Sequence, residues 1–409
     1  MEEKRAQRRA YVVDMYDQGH RYKHVIVKLC HLVNNGSDAI SEHHVMLLAP
    51  SSDDFKNIIG KPELRDVDGV FVNPICVENK IEAFYEAKEQ IDDQKINRIV
   101  LVCSTEQSGY WKQLSEIFFT KIYRISVEMV GDGGMEMTAT YGFHNEVEQF
   151  LKSLPSNGPV EVLCTPIIPN NIFNHGFTTR TGGISSIPSL RSLNLMYAKR
   201  KQDPMVVIKE NRRRLAEAAG FNPFNFQLVK AEHSNRVWTI GRDAPSGYDA
   251  IVTKHRGLAI ASPGADCVTV IFADPVNMVC GTAHAGWRGT LKGITRETIR
   301  AMVKDFGCDV RNIWPNHVWR RCVCRSTRKT QNPLSRLIRR PWCQNRVTRK
   351  SIDLLKVNRI LLEREGVLAG NIDDTSASKC TACNPGQFFS FRRDKFPFGN
   401  QVAFICIRE

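Results

Sequence analysis

The chain has 409 residues, 42% of them hydrophobic and 24% charged, with a formal net charge of +14. These proportions suit a globular protein of two domains and exclude a disordered or fibrous chain. No run of eighteen apolar residues occurs, and the charged start MEEKRAQRRA lacks a following apolar core, so neither a membrane span nor a secretory leader is predicted. Thirteen irregularly spaced cysteines then read as reduced thiols in a cytosolic protein.

The first 34 residues read as helical without clear caps. HHVMLLAP (43–50), RIVLVCS (98–104) and YRISVEMV (123–130) are strand candidates, and Glu78–Gln94 and His144–Leu154 are helix candidates. GDGGM (131–135) reads as a hairpin turn, and PSNGP (155–159) as a linker. The expected organisation is a small α/β domain over 1–154, a linker over 155–160 and a second domain over 161–409.

In the second domain, Asp203-Pro204 opens a helix that Gly220 closes. CVTVIFAD (267–274) and MVCGTAH (278–284) are buried strands, and Ala285–Gly289 turns into a helix that begins at Thr290 and stops at Gly307. No GxGxxG follows a strand, so the expected fold class is α+β, with mixed sheets packed with helices and no doubly wound Rossmann sheet.

His233, Cys267 and His284 each lie where an apolar segment meets a turn-rich motif. Two imidazoles and a thiolate form a three-ligand set for zinc, with the fourth tetrahedral position open as in catalytic sites. They are 34 and 17 residues apart, so only a folded sheet could bring them together. A buried core thiol and hydrogen-bonded histidines are the plain alternatives. Arg180, in a glycine-flanked turn, suits a phosphate or a surface turn. Asn194 and Asn235 suit a ribose, a base edge or local turn capping. Arg288 and Arg392 are weaker anion candidates, and Trp287 reads as core packing. Cys380 and Cys383 form an isolated CxxC that reads as a structural turn.

HGFTTRTGGIS (175–185), SLNL (192–195), HSNRVW (233–238), GADC (264–267), AHAGWRGT (283–290) and CTACNPGQFFSFRRD (380–394) occur in the order seen in one family. The chain resembles the laccase-domain proteins, also called multicopper polyphenol oxidoreductases and now regarded as purine nucleoside phosphorylases. The resemblance runs from about Ile167 to Gly307 and again from about Ser351 to the C-terminus, and the long N-terminal extension looks like that of animal members. It implies zinc on His233, Cys267 and His284, purine nucleosides and phosphate as substrates, and adenosine deamination as a second activity. Asp266 and Asp249 are equal candidates for the proton shuttle that deamination needs. A metal-independent Cys–His hydrolase and a scaffold that binds metabolic enzymes through the N-terminal domain are the competing readings. Copper oxidase chemistry needs many more ligands than the motifs offer, and the chain has 11 histidines in all.

One stretch does not match the family. Trp314–Lys350 holds nine Arg, two Lys, three Trp, three Cys, no acid and no Gly, so it carries +11 of the +14. It lacks helical and strand periodicity and replaces a glycine-rich segment of the family. It reads either as a basic loop for an anionic partner or as translation of an unselected frame. The second reading accounts for the aperiodicity and removes the case for a nucleic-acid partner. It expects trypsin to cut first within 320–350 and the transcript to read differently there.

Overall fold

The structure is a computed structural model that describes residues 7–16, 22–34, 40, 42–52, 55, 69–131, 142–198, 203–318, 353–376 and 379–409. The chain divides into two compact units, Met1–Pro155 with Tyr197–Glu210, and Ser156–Met196 with Asn211–Glu409.

The first unit is built on a five-stranded sheet in which every neighbour is parallel. Its strands are β1 (Arg8–Asp14), β2 (Glu42–Ala49), β3 (Val70–Cys76), β4 (Arg98–Ser104) and β5 (Arg124–Val130), in the order β3-β2-β1-β4-β5. Residues expected to be helical at the start thus form a strand, followed by α1 (Tyr22–Asn34). β1 lies at the centre, and its AYVVD run is buried throughout, because a central parallel strand is covered on both faces. Pro74 sits in the edge strand β3, where a missing N–H is tolerated. The helix read at Glu78–Gln94 is α2 (Lys80–Asp93), capped by Asn79, whose side chain accepts from the amides of Ile81 and Glu82. α3 (Ser108–Phe118) and α4 (Phe143–Ser153) follow in the same unit. All but Gly131 of the predicted GDGGM turn lies outside the described residues.

The second unit stacks two mixed five-stranded sheets. One has the order β6-β7-β15-β11-β8, built from Val162–Leu163, Phe173–Thr178, Gln401–Ile407, Ala259–Gly264 and Phe226–Leu228. The other has the order β14-β12-β13-β10-β9, built from Trp314–Val318, Val268–Asp274, Val279–Ala285, Ala250–Thr253 and Val237–Thr239. α5 (Met205–Ala219) leads into the first of these sheets, and Gly220 ends it with φ +72. Strand alternation sorts the side chains into layers. Ile271, Ala273 and Cys280 meet Phe173, Ile260 and Ile405 between the sheets. Val270, Phe272, Val279 and Ala283 face away from that layer, against Ile294, Ile299 and Met302 of α7 (Ile294–Phe306) and Leu355 and Leu362 of α8 (Leu354–Arg364). The single helix expected after Gly289 is two: α6 (Trp287–Lys292) and α7, separated by Gly293, whose φ of +82 breaks the helical path.

Trp314–Val318, the start of the stretch whose composition departs from the family, pairs antiparallel with β12, and Pro315, Asn316 and His317 are buried there. The anomalous stretch from 319 to 350 lies outside the described residues.

Candidate metal centre

The second sheet brings the three spaced residues together. Cys267 immediately precedes β12, His284 lies in β13 opposite Thr269, and His233 lies in the loop between β8 and β9. One ligand atom from each lies within 4.8 Å of the other two. The imidazoles meet edge to face, with ring centroids 4.9 Å apart. His284 is buried, while Cys267 and His233 are half-buried, so the cluster is reached from one side. Among the described residues, no second cluster of this kind accompanies it.

The surroundings suit a cation. Burial pushes the Cys267 thiol up, but the imidazoles of His284 and His233 outweigh it and bring it down to about 6. Burial pushes His284 down, and the Cys267 thiolate and the Asp249 carboxylate outweigh it, raising it to about 10. The His284 Nδ1 is 2.9 Å from Asp249 Oδ1, which leaves Nε2 for a ligand. A carboxylate behind a histidine in this way raises the basicity of a metal ligand and orients its ring. Gly286 lies beside the cluster. A Cβ there would stand 3.0 Å from His233 Cδ2 and 3.1 Å from Cys267 Sγ, so only glycine leaves the space beside the ligands open.

Other candidates fall elsewhere. Arg180 donates from Nε to the Arg191 carbonyl, from Nη1 to Pro385 and from Nη2 to Pro188, and stacks on Phe389. It ties the 188–191 turn to the loop at Pro385. Asn194 is fully buried, and its side-chain oxygen accepts from the Asn400 amide, so it orders loops and does not present a free edge. Asn235 lies at the surface, 3.4 Å from the Lys292 carbonyl, at one end of a groove of about 300 Å³. Trp287 is corrected from core packing: it is 43% exposed, with the Arg288 guanidinium 5.1 Å from its ring.

Neither aspartate is placed to shuttle protons. Asp266, with φ +89, accepts from Thr381, Ser390 and the Arg392 amide, and so anchors α9 (Phe391–Asp394). Asp249 is fully buried and hydrogen-bonded on both oxygens. The CxxC is a turn in which Asn384 bonds back to the Cys380 carbonyl. Sequence reasoning passed over Gly286 and Lys292. The Lys292 ammonium lies 3.3 Å from the His233 carbonyl, and the GWRGTLK string holding both residues was the available signal.

A layered mixed-sheet unit carrying one His–Cys–His cluster among its described residues is the class of protein that this structure defines. The family model described as multi-copper polyphenol oxidoreductase laccase matches residues 174–408, and the chain belongs to that family. It is 40% identical over 351 residues to purine nucleoside phosphorylase LACC1 of Homo sapiens, covering 80% of each chain. It is 34% identical over 243 residues to a purine nucleoside phosphorylase of Deinococcus radiodurans, covering 58% of this chain and 90% of that one. Among solved structures, YlmD from Geobacillus stearothermophilus is similar, with a TM-score of 0.53 and 26% identity over 62% of this chain and all 100% of that one. The Bacillus licheniformis protein YfiH is similar at a TM-score of 0.53 and 28% identity, covering 62% and 98%.

Proposed function

We propose that the chain is a zinc-dependent purine nucleoside phosphorylase, cleaving adenosine, inosine and related nucleosides with phosphate, and that adenosine deamination is its second activity. The observation that carries this reading is the convergence of His233, Cys267 and His284 within 4.8 Å in a chain whose relatives are named purine nucleoside phosphorylases. The three would hold zinc through two nitrogens and one sulfur. When bound, zinc supplies a Lewis acid that stabilises negative charge developing on a substrate oxygen. Phosphorolysis also requires phosphate to be held against the ribose C1′ and the purine to be oriented as it leaves, so positioning supplies much of the rate. With Arg180 committed to carbonyls, Arg288 and Lys292 on α6 are the cations we assign to phosphate. Incubation of purified protein with inosine should give hypoxanthine and ribose 1-phosphate only when phosphate is present. Base release at the same rate without phosphate would make it a hydrolase.

A second reading has a specific observation behind it. Cys267, His284 and Asp249 form a line of thiol, imidazole and carboxylate that resembles a nucleophilic triad, with the thiol lowered to about 6. A second imidazole, His233, beside the same sulfur has no task in a triad and a clear one in a metal site. Metal analysis separates the two: about one zinc per chain supports the phosphorylase, and full activity in a zinc-free preparation supports the triad. No helix among the described residues is long and apolar enough to cross a membrane, and the reading needs none.

A further inference from the structure

Asp249 does more than back His284. Its carboxylate receives the amides of three consecutive residues: Glu232 at 3.1 Å, His233 at 3.0 Å and Ser234 at 2.7 Å. The Ser234 hydroxyl donates to it as well, at 2.7 Å. Successive N–H groups converge on one anion only when the chain curls through a left-handed residue, the arrangement called a nest. His233 is that residue, with φ +59 in a conformation that non-glycine residues rarely take. The strain at His233 therefore has a cause: the loop is wrapped around a buried carboxylate.

The same Oδ1 that accepts from the His233 amide also accepts from His284 Nδ1. One oxygen thus sets the backbone of one candidate ligand and the ring of another. Asp249 also accepts the His284 amide on its own carbonyl, at 2.7 Å, which locks the two strands in register beside the cluster. We infer that Asp249 is the positioning residue of the centre, holding His233 and His284 in ligand geometry before any metal enters.

This rests on the metal reading above, and the test separates the two. Zinc is titrated into metal-free full-length protein, and hydrogen exchange of the amides of residues 232–234 is followed in the same sample. Those amides should be protected before zinc is added and should stay protected in Cys267→Ala, which loses a ligand but keeps the carboxylate. Asp249→Asn is close in shape but turns an NH2 toward donors, so the folded variant should bind zinc about 10–100-fold more weakly. Unprotected amides in metal-free wild type, or a folded Asp249→Asn with affinity within about twofold of wild type, would overturn the inference. If Asp249→Asn does not fold, the exchange result decides alone. Wild type that binds no zinc sinks the metal reading itself, whereas wild type that binds zinc with unprotected amides sinks only the role of Asp249.

Discussion

His284 and His317 are buried on the same five-stranded sheet, with β12 running between their strands, and they meet opposite conditions. His284 faces the layer between the sheets, where Asp249 takes one ring nitrogen and Cys267 lies at the other side. His317 pairs with Val270 and so shares the apolar face packed on α7 and α8. Among the described residues, both of its ring nitrogens lack a hydrogen-bond partner, as does Oδ1 of its neighbour Asn316. Burial, with Arg359 nearby, takes His317 down to about 3, while His284 rises to about 10. The contrast shows what a buried imidazole needs: with a carboxylate and a thiolate it is a working group, and in a hydrocarbon layer it is an unpaired dipole.

The largest effect should come from breaking the partnered side. Cys267→Ala should abolish zinc binding and reduce phosphorolysis by at least about 100-fold, measured by metal analysis and ribose 1-phosphate release. Full zinc occupancy in that variant would remove Cys267 from the ligand set. A milder lesion tests the space beside the ligands. Gly286 has φ −60, which any residue adopts, so Gly286→Ala should fold normally. The new methyl presses on His233 and Cys267, and zinc affinity should fall about 10-fold. An unchanged affinity would mean that the ligands move aside freely.

The unpartnered side should respond in the other direction. His317→Leu removes two orphaned nitrogens from an apolar layer and should stabilise the protein by about 1–3 kcal/mol in urea unfolding. The pH dependence has a definite sign. The folded pKa lies below the ordinary 6.5, so as pH falls through 6.5 the unfolded chain takes up a proton that the folded chain refuses. Wild type therefore loses stability from pH 6.5 down to about 3, and the advantage of the leucine variant should grow by about 1.4 kcal/mol per pH unit over that window. A destabilised His317→Leu would show that the imidazole has a partner in solution.

The smallest effect concerns Arg180. Its three bonds to carbonyls predict that Arg180→Ala loses about 1–3 kcal/mol of stability while the KM for phosphate stays put. A raised KM with unchanged stability would return Arg180 to the phosphate site.

Much of the centre was legible in the linear chain. His233, Cys267 and His284 stood out because each lies where an apolar segment meets a turn-rich motif, and the β-branched and apolar runs that became β12 and β13 read locally as buried strands. The mixed sheets packed with helices were expected from strands and helices following one another along the second domain and from the absence of a dinucleotide fingerprint. What local pattern could not supply were contacts between distant residues. Arg180 looked like an anion binder beside glycines, but Pro385, 205 positions away, takes part of its guanidinium. Asp249 looked like one of two proton carriers until the loop of residues 232–234 closed on it. Trp287 read as core, yet it lies on a six-residue helix whose outer side meets solvent. Residue type and spacing decide which groups can do chemistry. Only the fold decides which donors are already spent and which faces are covered, because hydrogen bonds and burial depend on neighbours that the chain brings from far away.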